Sequence, residues 1–483
     1  MACQAPFYDS KCYSDMLQKV FTKYWLVLNI GLTVVLTWLV LPGDLKSATF
    51  YPLLWMSLFV IELSILLPSV FSGETLVDAR ARVLKSIVWD AFGYITLFMV
   101  LFLAFHWLNG GLTAEYDVNA GVWRYAAPAT TWLPSSVNRV DAFRNFNFFA
   151  TLLIIGCCLN CAAGKRSKRF LLQCLCVSSG CFATFALLRG FFEAEPYKLY
   201  MSETLSNSWG TFFGFWLLVS IGTFAESFSS RTKYPQWIYL VGILPNLVGM
   251  LFYASPPAVV LYSVLSILLF IYLCAYISAH VQSHVIVKLV LLTVIVYVSV
   301  FVIGIFAFPE SALAAKIDML TRFSEWWEPL QATKTVRSDA ALTIWGDHMW
   351  YGSGAQGFEY YLGSVLDDTA WTNVRADKAF VYNDFIQFLC EFGLLGCSAL
   401  VAIMLSLIVP LFSRARNAWV HDTHDSNAGR NYLLRISPFV VTGVVATLCC
   451  FMEAFISSPL RLPAIFISVF VVLAVMPAFL PKR

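Results

Sequence analysis

Apolar runs of about 20 residues, parted by short polar connections, recur along the whole chain. About 20 apolar residues cross the roughly 30 Å hydrocarbon layer as a helix. The runs predict twelve such helices, near 24–41, 50–71, 86–108, 146–163, 170–188, 208–227, 237–254, 257–277, 287–308, 381–411, 436–457 and 462–480. The join at "SPP" (255–257) leaves no room for a loop, so its flanking runs predict a tight helical hairpin. The polar stretches 109–145, 189–207 and 309–380 are longer than connections need to be.

Composition fits this pattern. The chain is 59% hydrophobic and 13% charged, against roughly 25% charged in soluble domains. The fold class predicted is an all-α polytopic membrane protein. Residues 1–308 carry spans one to nine, 309–380 form an extracytoplasmic loop, and 381–483 carry spans ten to twelve. Basic residues concentrate in the short connections on one side, as at Arg80–Lys85, Lys165–Arg169 and Arg414–Arg435. The positive-inside rule therefore places that side, with both termini, in the cytoplasm. Lys11, Lys19 and Lys23 precede a first run without a small-x-small cleavage pattern, which reads as a retained anchor. A net charge of +3, with no basic cluster among exposed aromatics, excludes nucleic acid as partner. Most of the 13 cysteines fall inside predicted spans, where they read as small hydrophobes. Cys157, Cys158 and Cys161 lack a second ligand pair at zinc spacing, so no metal site and no disulfide framework is expected.

The tenth run raises a question. It opens "VYNDFIQFLCEFGLLG" (381–396), with polar groups where a span normally starts apolar. As one helix, 381–411 would be about 46 Å long at roughly 1.5 Å per residue. That exceeds the hydrocarbon thickness, so it begins outside the bilayer or tilts strongly. Asn383, Gln387 and Glu391 recur every four residues and share a face. Capping accounts for Asn383 or Asp384. It leaves Gln387 and Glu391 unexplained, and polar groups at such depth ordinarily face a cavity. The stripe is therefore predicted to line a groove. The preceding loop holds Trp326, Trp327, Trp345, Trp350 and Trp371, with a surface helix predicted from about 312 and a Gly-rich turn at 351–358.

These features together resemble the bacterial O-antigen ligase and O-antigen polymerase family. The matching residues are Arg337 and Trp345, then Gly352, Gly354 and Phe358, then Asn383, Asp384, Gln387, Glu391, Gly393 and Gly396, ahead of the tenth span. "TLSNSWGTFFGFWL" (204–217) is a weaker echo. The resemblance implies a cofactor-free, metal-independent glycosyl ligase of the bacterial inner membrane. Such an enzyme moves a glycan from an undecaprenyl-pyrophosphate carrier to a glycan or glycolipid hydroxyl on the outer face. Arginines suit the leaving group because they offer paired N–H donors.

The chain departs from the family twice. Tyr382 stands where the family carries its basic histidine, and Pro256 stands where a mid-chain arginine is expected. A tyrosine, with an ordinary pKa near 10, is a poor base at neutral pH. Substitutes exist. Asp384, Glu391 and His348, with Tyr382 itself, are the candidate catalytic groups. Arg337, Asn383, Gln387, Arg189, Arg322 and Arg375 are the candidate substrate contacts, and Glu453 lies near the outer end of the eleventh span. Two readings follow. One is an active ligase or polymerase. The other is an inactive descendant kept as a scaffold or lipid-binding subunit beside partner membrane subunits. A transporter ranks below both, since few charges sit mid-span.

Overall fold

The computed structural model describes residues 27–38, 76–117, 122–126, 128, 130–162, 165–192, 203–229, 238–280, 323–366, 380–422 and 436–480. Each predicted run within these residues is helical; 50–71 and 287–308 lie outside them. Five helices are long and apolar enough to cross a membrane: Ala91–Leu108, Arg139–Asn160, Lys165–Leu188, Ala258–Tyr276 and Asp384–Asn417. The protein is an α-helical membrane protein.

In chain order the described helices are α1 (Val27–Trp38), then α2 (Leu76–Trp89), α3 (Ala91–Leu108), α4 (Arg139–Ala162), α5 (Lys165–Phe192), α6 (Glu203–Ser229), α7 (Ile238–Tyr253) and α8 (Pro256–His280). After these come α9 (Phe323–Asp347), α10 (Gly357–Val365), α11 (Asp384–Asp422), α12 (Pro438–Ala454) and α13 (Pro463–Val475). The predicted third run divides at Asp90, where α2 ends and α3 begins. The hairpin at 255 is as tight as expected, with Val259 N donating to the Ser255 carbonyl at 2.8 Å.

One element was not expected from an all-helical reading. Strands β1 (Ala114–Asp117) and β2 (Val122–Tyr125) pair antiparallel within the 109–145 segment. A two-stranded ribbon is marginal alone. Here Tyr125 packs on Tyr361 of α10, ring centroids 5.1 Å apart.

α13 organises the core. Every residue of it is buried, and a helix apolar all round belongs at the centre of a bundle. Its Ser468 hydroxyl accepts from two indoles, Trp38 Nε1 at 3.1 Å and Trp216 Nε1 at 3.2 Å. Thus α1 and α6 are tied to one point, and the two rings meet edge-on at 5.1 Å. The helix is short, and 3-10 turns at Pro459–Arg461 and Met476–Ala478 extend it at both ends.

A second, smaller core joins α9 and α10 to the start of α11, through Ala340, Ala341, Ile344, Phe358, Leu362, Val381 and Cys390. The predicted surface helix is described from Phe323 onward. Lys334 of α9 donates to the Ile456 carbonyl just beyond α12. Burial draws its pKa down to about 8.

Candidate functional site

The site forms where α11 begins. Asn383 is the helix cap: its Oδ1 accepts from Phe385 N at 3.1 Å and Ile386 N at 3.2 Å. Tyr382, just before it, has φ of 61°, a conformation that needs external support in a non-glycine residue. Arg337 gives that support. Its guanidinium lies 4.8 Å from the Tyr382 ring centroid and donates to the Phe380 carbonyl at 2.7 Å. Arg337 is therefore buried against the turn that starts α11.

Asp384, Gln387 and Glu391 are fully buried. Their partners form a chain. Val381 N donates to Gln387 Oε1 at 3.1 Å, and Gln387 Nε2 donates to Glu391 Oε1 at 3.0 Å. Glu391 Oε2 takes Arg461 at 2.5 Å, and the two side chains are 0% and 5% exposed. Asp384 Oδ2 accepts from Leu460 N at 2.7 Å. Two carboxylates of α11 thus grip the 3-10 turn Pro459–Arg461. The polar stripe does not itself form the wall of an open groove. It points inward and fixes a guanidinium that does.

The glycine motif has a backbone purpose. At Gly393, φ and ψ are 63° and −168°, a region essentially reserved for glycine, and α11 breaks there. Chain segment 349–354 repairs the break. Ser353 N donates to the Cys390 carbonyl and Gly354 N to the Glu391 carbonyl, each at 2.9 Å. Leu394 N and Leu395 N in turn donate to the Met349 and Trp350 carbonyls at 2.9 and 3.1 Å. Buried backbone polar groups must be satisfied somewhere, and this segment does it for the broken helix. The approach is close: a Cβ on Gly352 would lie 2.3 Å from the Glu391 carbonyl oxygen. The loop ends at Gln356, whose left-handed backbone (φ 55°) starts α10 and whose N–H faces the Glu391 carboxylate.

Beside this assembly opens a small cleft with a cavity volume of about 40 Å³. Its polar lining is Asp141, Arg144 and Asn145 from α4, Gln356 from the loop, and Arg461. Phe148, Phe149, Phe388 and Phe466 supply an apolar wall. Arg144 pairs with Asp141 Oδ1 at 3.0 Å. Tyr360 of α10 donates to Asp141 Oδ2 at 2.7 Å and accepts from Asn138 Nδ2 at 2.8 Å. Burial and the neighbouring Asp141 carboxylate push the Tyr360 phenol above its ordinary range. Among the described residues, buried Arg461 Nε and Gln356 Oε1 find no hydrogen-bond partner. The cleft therefore sets two guanidiniums against a phenyl-lined wall, a combination suited to an anion attached to an apolar chain.

Other candidates lie apart from this lining. The His348 ring packs 5.0 Å from Tyr361, and burial holds it below the ordinary histidine value, opposed by Asp347. Glu453 is buried facing Thr211 and Tyr262. Arg322 and Arg375 fall outside the described residues, and Arg189 is described only as part of α5. Among the described residues, no cluster of His, Cys, Asp and Glu has metal-holding geometry.

Asp141, Arg144, Gln356, Tyr360 and Arg461 escaped the sequence reading. A faint signal existed. Asp141 and Arg144 are charges three apart at the edge of the fourth run, and Arg461 immediately precedes the last. No family model matches this chain, and no curated protein matches its sequence.

Proposed function

We propose that the protein is a glycan ligase or polymerase of the O-antigen ligase kind. In this reading twelve spans carry it through a bacterial inner membrane with both termini in the cytoplasm, and the cleft opens on the outer side. It transfers a glycan from an undecaprenyl-pyrophosphate carrier to the hydroxyl of a glycan or glycolipid. The observation that carries this is the cleft holding Arg144 and Arg461 beside Phe148, Phe149, Phe388 and Phe466, with Arg461 fixed by Glu391.

The chemistry follows from the charges. The acceptor oxygen attacks the anomeric carbon, the carbon–oxygen bond to phosphate breaks, and the electron pair leaves on the pyrophosphate. Guanidiniums held in place before the reaction stabilise that developing charge without reorganising. The isoprenoid rests along the phenyl rings, where its contact needs no polar partner. Arg461 stands for the cation missing at Pro256. Gln387 and Glu391 act through it, and Arg337 and Asn383 act by shaping the turn that begins α11.

The test uses the purified chain in lipid nanodiscs. Undecaprenyl pyrophosphate is expected to bind, and undecaprenol, which lacks the anion, to bind at least tenfold more weakly. Arg461→Met should weaken the pyrophosphate by about 10- to 100-fold, since charged hydrogen bonds are worth roughly 1.5–3 kcal/mol. Equal binding of both lipids overturns the reading. An unchanged cell-surface glycan in an Arg461→Met strain, with a membrane assembly lost only on deletion of the whole chain, would favour the scaffold.

A further inference from the structure

The transfer reaction needs a group to take the acceptor's proton, and the familiar histidine position is occupied by Tyr382. That ring lies under Arg337 at the start of α11. The other described acids of the region do not line the cleft. Both Glu391 oxygens are bonded inside the bundle, to Gln387 and Arg461. Asp384 holds the Leu460 N–H and is fully buried. Glu453 faces Thr211 and Tyr262 rather than the cleft. Among the described lining residues, the one carboxylate is Asp141.

Asp141 is held from two sides. Arg144 fixes Oδ1 at 3.0 Å and Tyr360 fixes Oδ2 at 2.7 Å. Asn138 in turn orients the Tyr360 hydroxyl at 2.8 Å. A carboxylate accepts at about four sites, so Asp141 can take a substrate hydroxyl beside the donors that hold it. Arg461 lines the same cleft. A base and an anion clamp therefore share one cavity, the arrangement an inverting displacement at a sugar carbon requires.

Resting on the ligase reading, we infer that Asp141 is the catalytic base, with Arg144, Tyr360 and Asn138 as positioning residues. The acceptor O–H gives its proton to Asp141 as its oxygen bonds to the anomeric carbon. The anomeric bond to the pyrophosphate breaks, its electron pair leaves on the terminal phosphate, and the resulting lipid-pyrophosphate trianion is held at Arg461. Protonated Asp141 then returns its proton to water. No oxidant, reductant or metal enters the balance.

Transfer is followed in membranes of a strain lacking the chain, where the lipid-linked donor accumulates, after adding nanodisc-borne protein. Binding of undecaprenyl pyrophosphate is measured separately. Asp141→Asn should bind within about threefold of the parent yet lose at least about 100-fold in transfer, the usual contribution of a general base. Sodium formate should restore part of the transfer to Asp141→Ala, which a structural role would not permit. Transfer by Asp141→Asn within threefold of the parent, or loss of binding together with transfer, overturns the assignment. Should Asp141→Asn not accumulate, Asp141→Glu decides. It keeps the charge and displaces the oxygens by a methylene, so a tenfold loss of transfer with unchanged binding supports the base, and parental transfer overturns it. If undecaprenyl pyrophosphate binds the parent and Arg461→Met equally, the ligase reading itself falls. If only Asp141→Asn stays active, the base alone falls.

Discussion

Glu391→Ala is the most informative single change for the architecture of the site. The carboxylate takes Arg461 at 2.5 Å and Gln387 at 3.0 Å, and it faces the Gln356 N–H. Losing the charged bond costs roughly 1.5–3 kcal/mol and each neutral donor about 1 kcal/mol. The sum, about 4 kcal/mol, falls within the roughly 3–5 kcal/mol found when one partner of a buried ion pair is removed. The penalty arises because Arg461, 5% exposed, is left with a charge and no carboxylate. Replacing both partners with apolar groups of similar size, Glu391→Leu with Arg461→Met, should cost only about 1 kcal/mol, because a buried pair often exchanges for good packing at little loss. The coupling between the two sites should therefore exceed about 2 kcal/mol. Tryptophan-monitored unfolding in mixed micelles, followed through the cycle, measures it. If Glu391→Ala costs under about 1 kcal/mol, or the double variant costs the sum of the singles, the stripe is not what holds Arg461 in place. The double variant should also separate stability from chemistry, folding normally while failing to bind undecaprenyl pyrophosphate.

Further changes address other parts of the structure. Gly393→Ala would place a Cβ 2.5 Å from Gly352 N at φ 63°; strain of about 1–3 kcal/mol should undo the pairing with 349–354, seen as new protease cleavage near 350. Lys334 has a folded pKa near 8, below its ordinary 10.5. Between those values the unfolded chain binds the proton and the folded chain does not, so the docking of α9 should strengthen as pH rises from about 8 to 10.5. Lys334→Gln should abolish that dependence in thermal unfolding. His348→Gln should leave transfer within about threefold, or about 0.7 kcal/mol, since its ring rests on Tyr361; a loss of a hundredfold would make it the base instead. Tyr382→Ala, which removes the ring beneath Arg337, should destabilise by about 1 kcal/mol, whereas Tyr382→Phe, which keeps that ring, should leave transfer unchanged.

Much of the helical layout was legible because apolar runs of span length leave little choice of structure. The cap at Asn383 was readable too, since short polar side chains satisfy a helix start locally. The break at Gly393 was not. "CEFGLLG" reads as continuous apolar helix, glycine is common in membrane helices, and the break is stable only because a segment about 40 residues earlier supplies its hydrogen bonds. Arg461 and Asp141 were hidden for a similar reason. Each looks like an ordinary edge charge of its own span, and only tertiary packing brings α4, the 352–356 turn and the Pro459–Arg461 turn around one cleft. The polar stripe of α11 was expected to line a groove; it turns inward to a buried partner instead. Which face it turned to that partner depended on an arginine 70 positions away.

The repaired helix break bears on biosynthesis. The segment that completes α11 is made before it, so it is already synthesised when 384–422 leaves the ribosome. An unaided break has no place in hydrocarbon. The broken form of α11 therefore depends on the docking of that segment, which supplies its missing hydrogen bonds. Completion of the cleft then waits on that docking, and a chain severed between 366 and 384 is expected still to complete it from two separately translated halves.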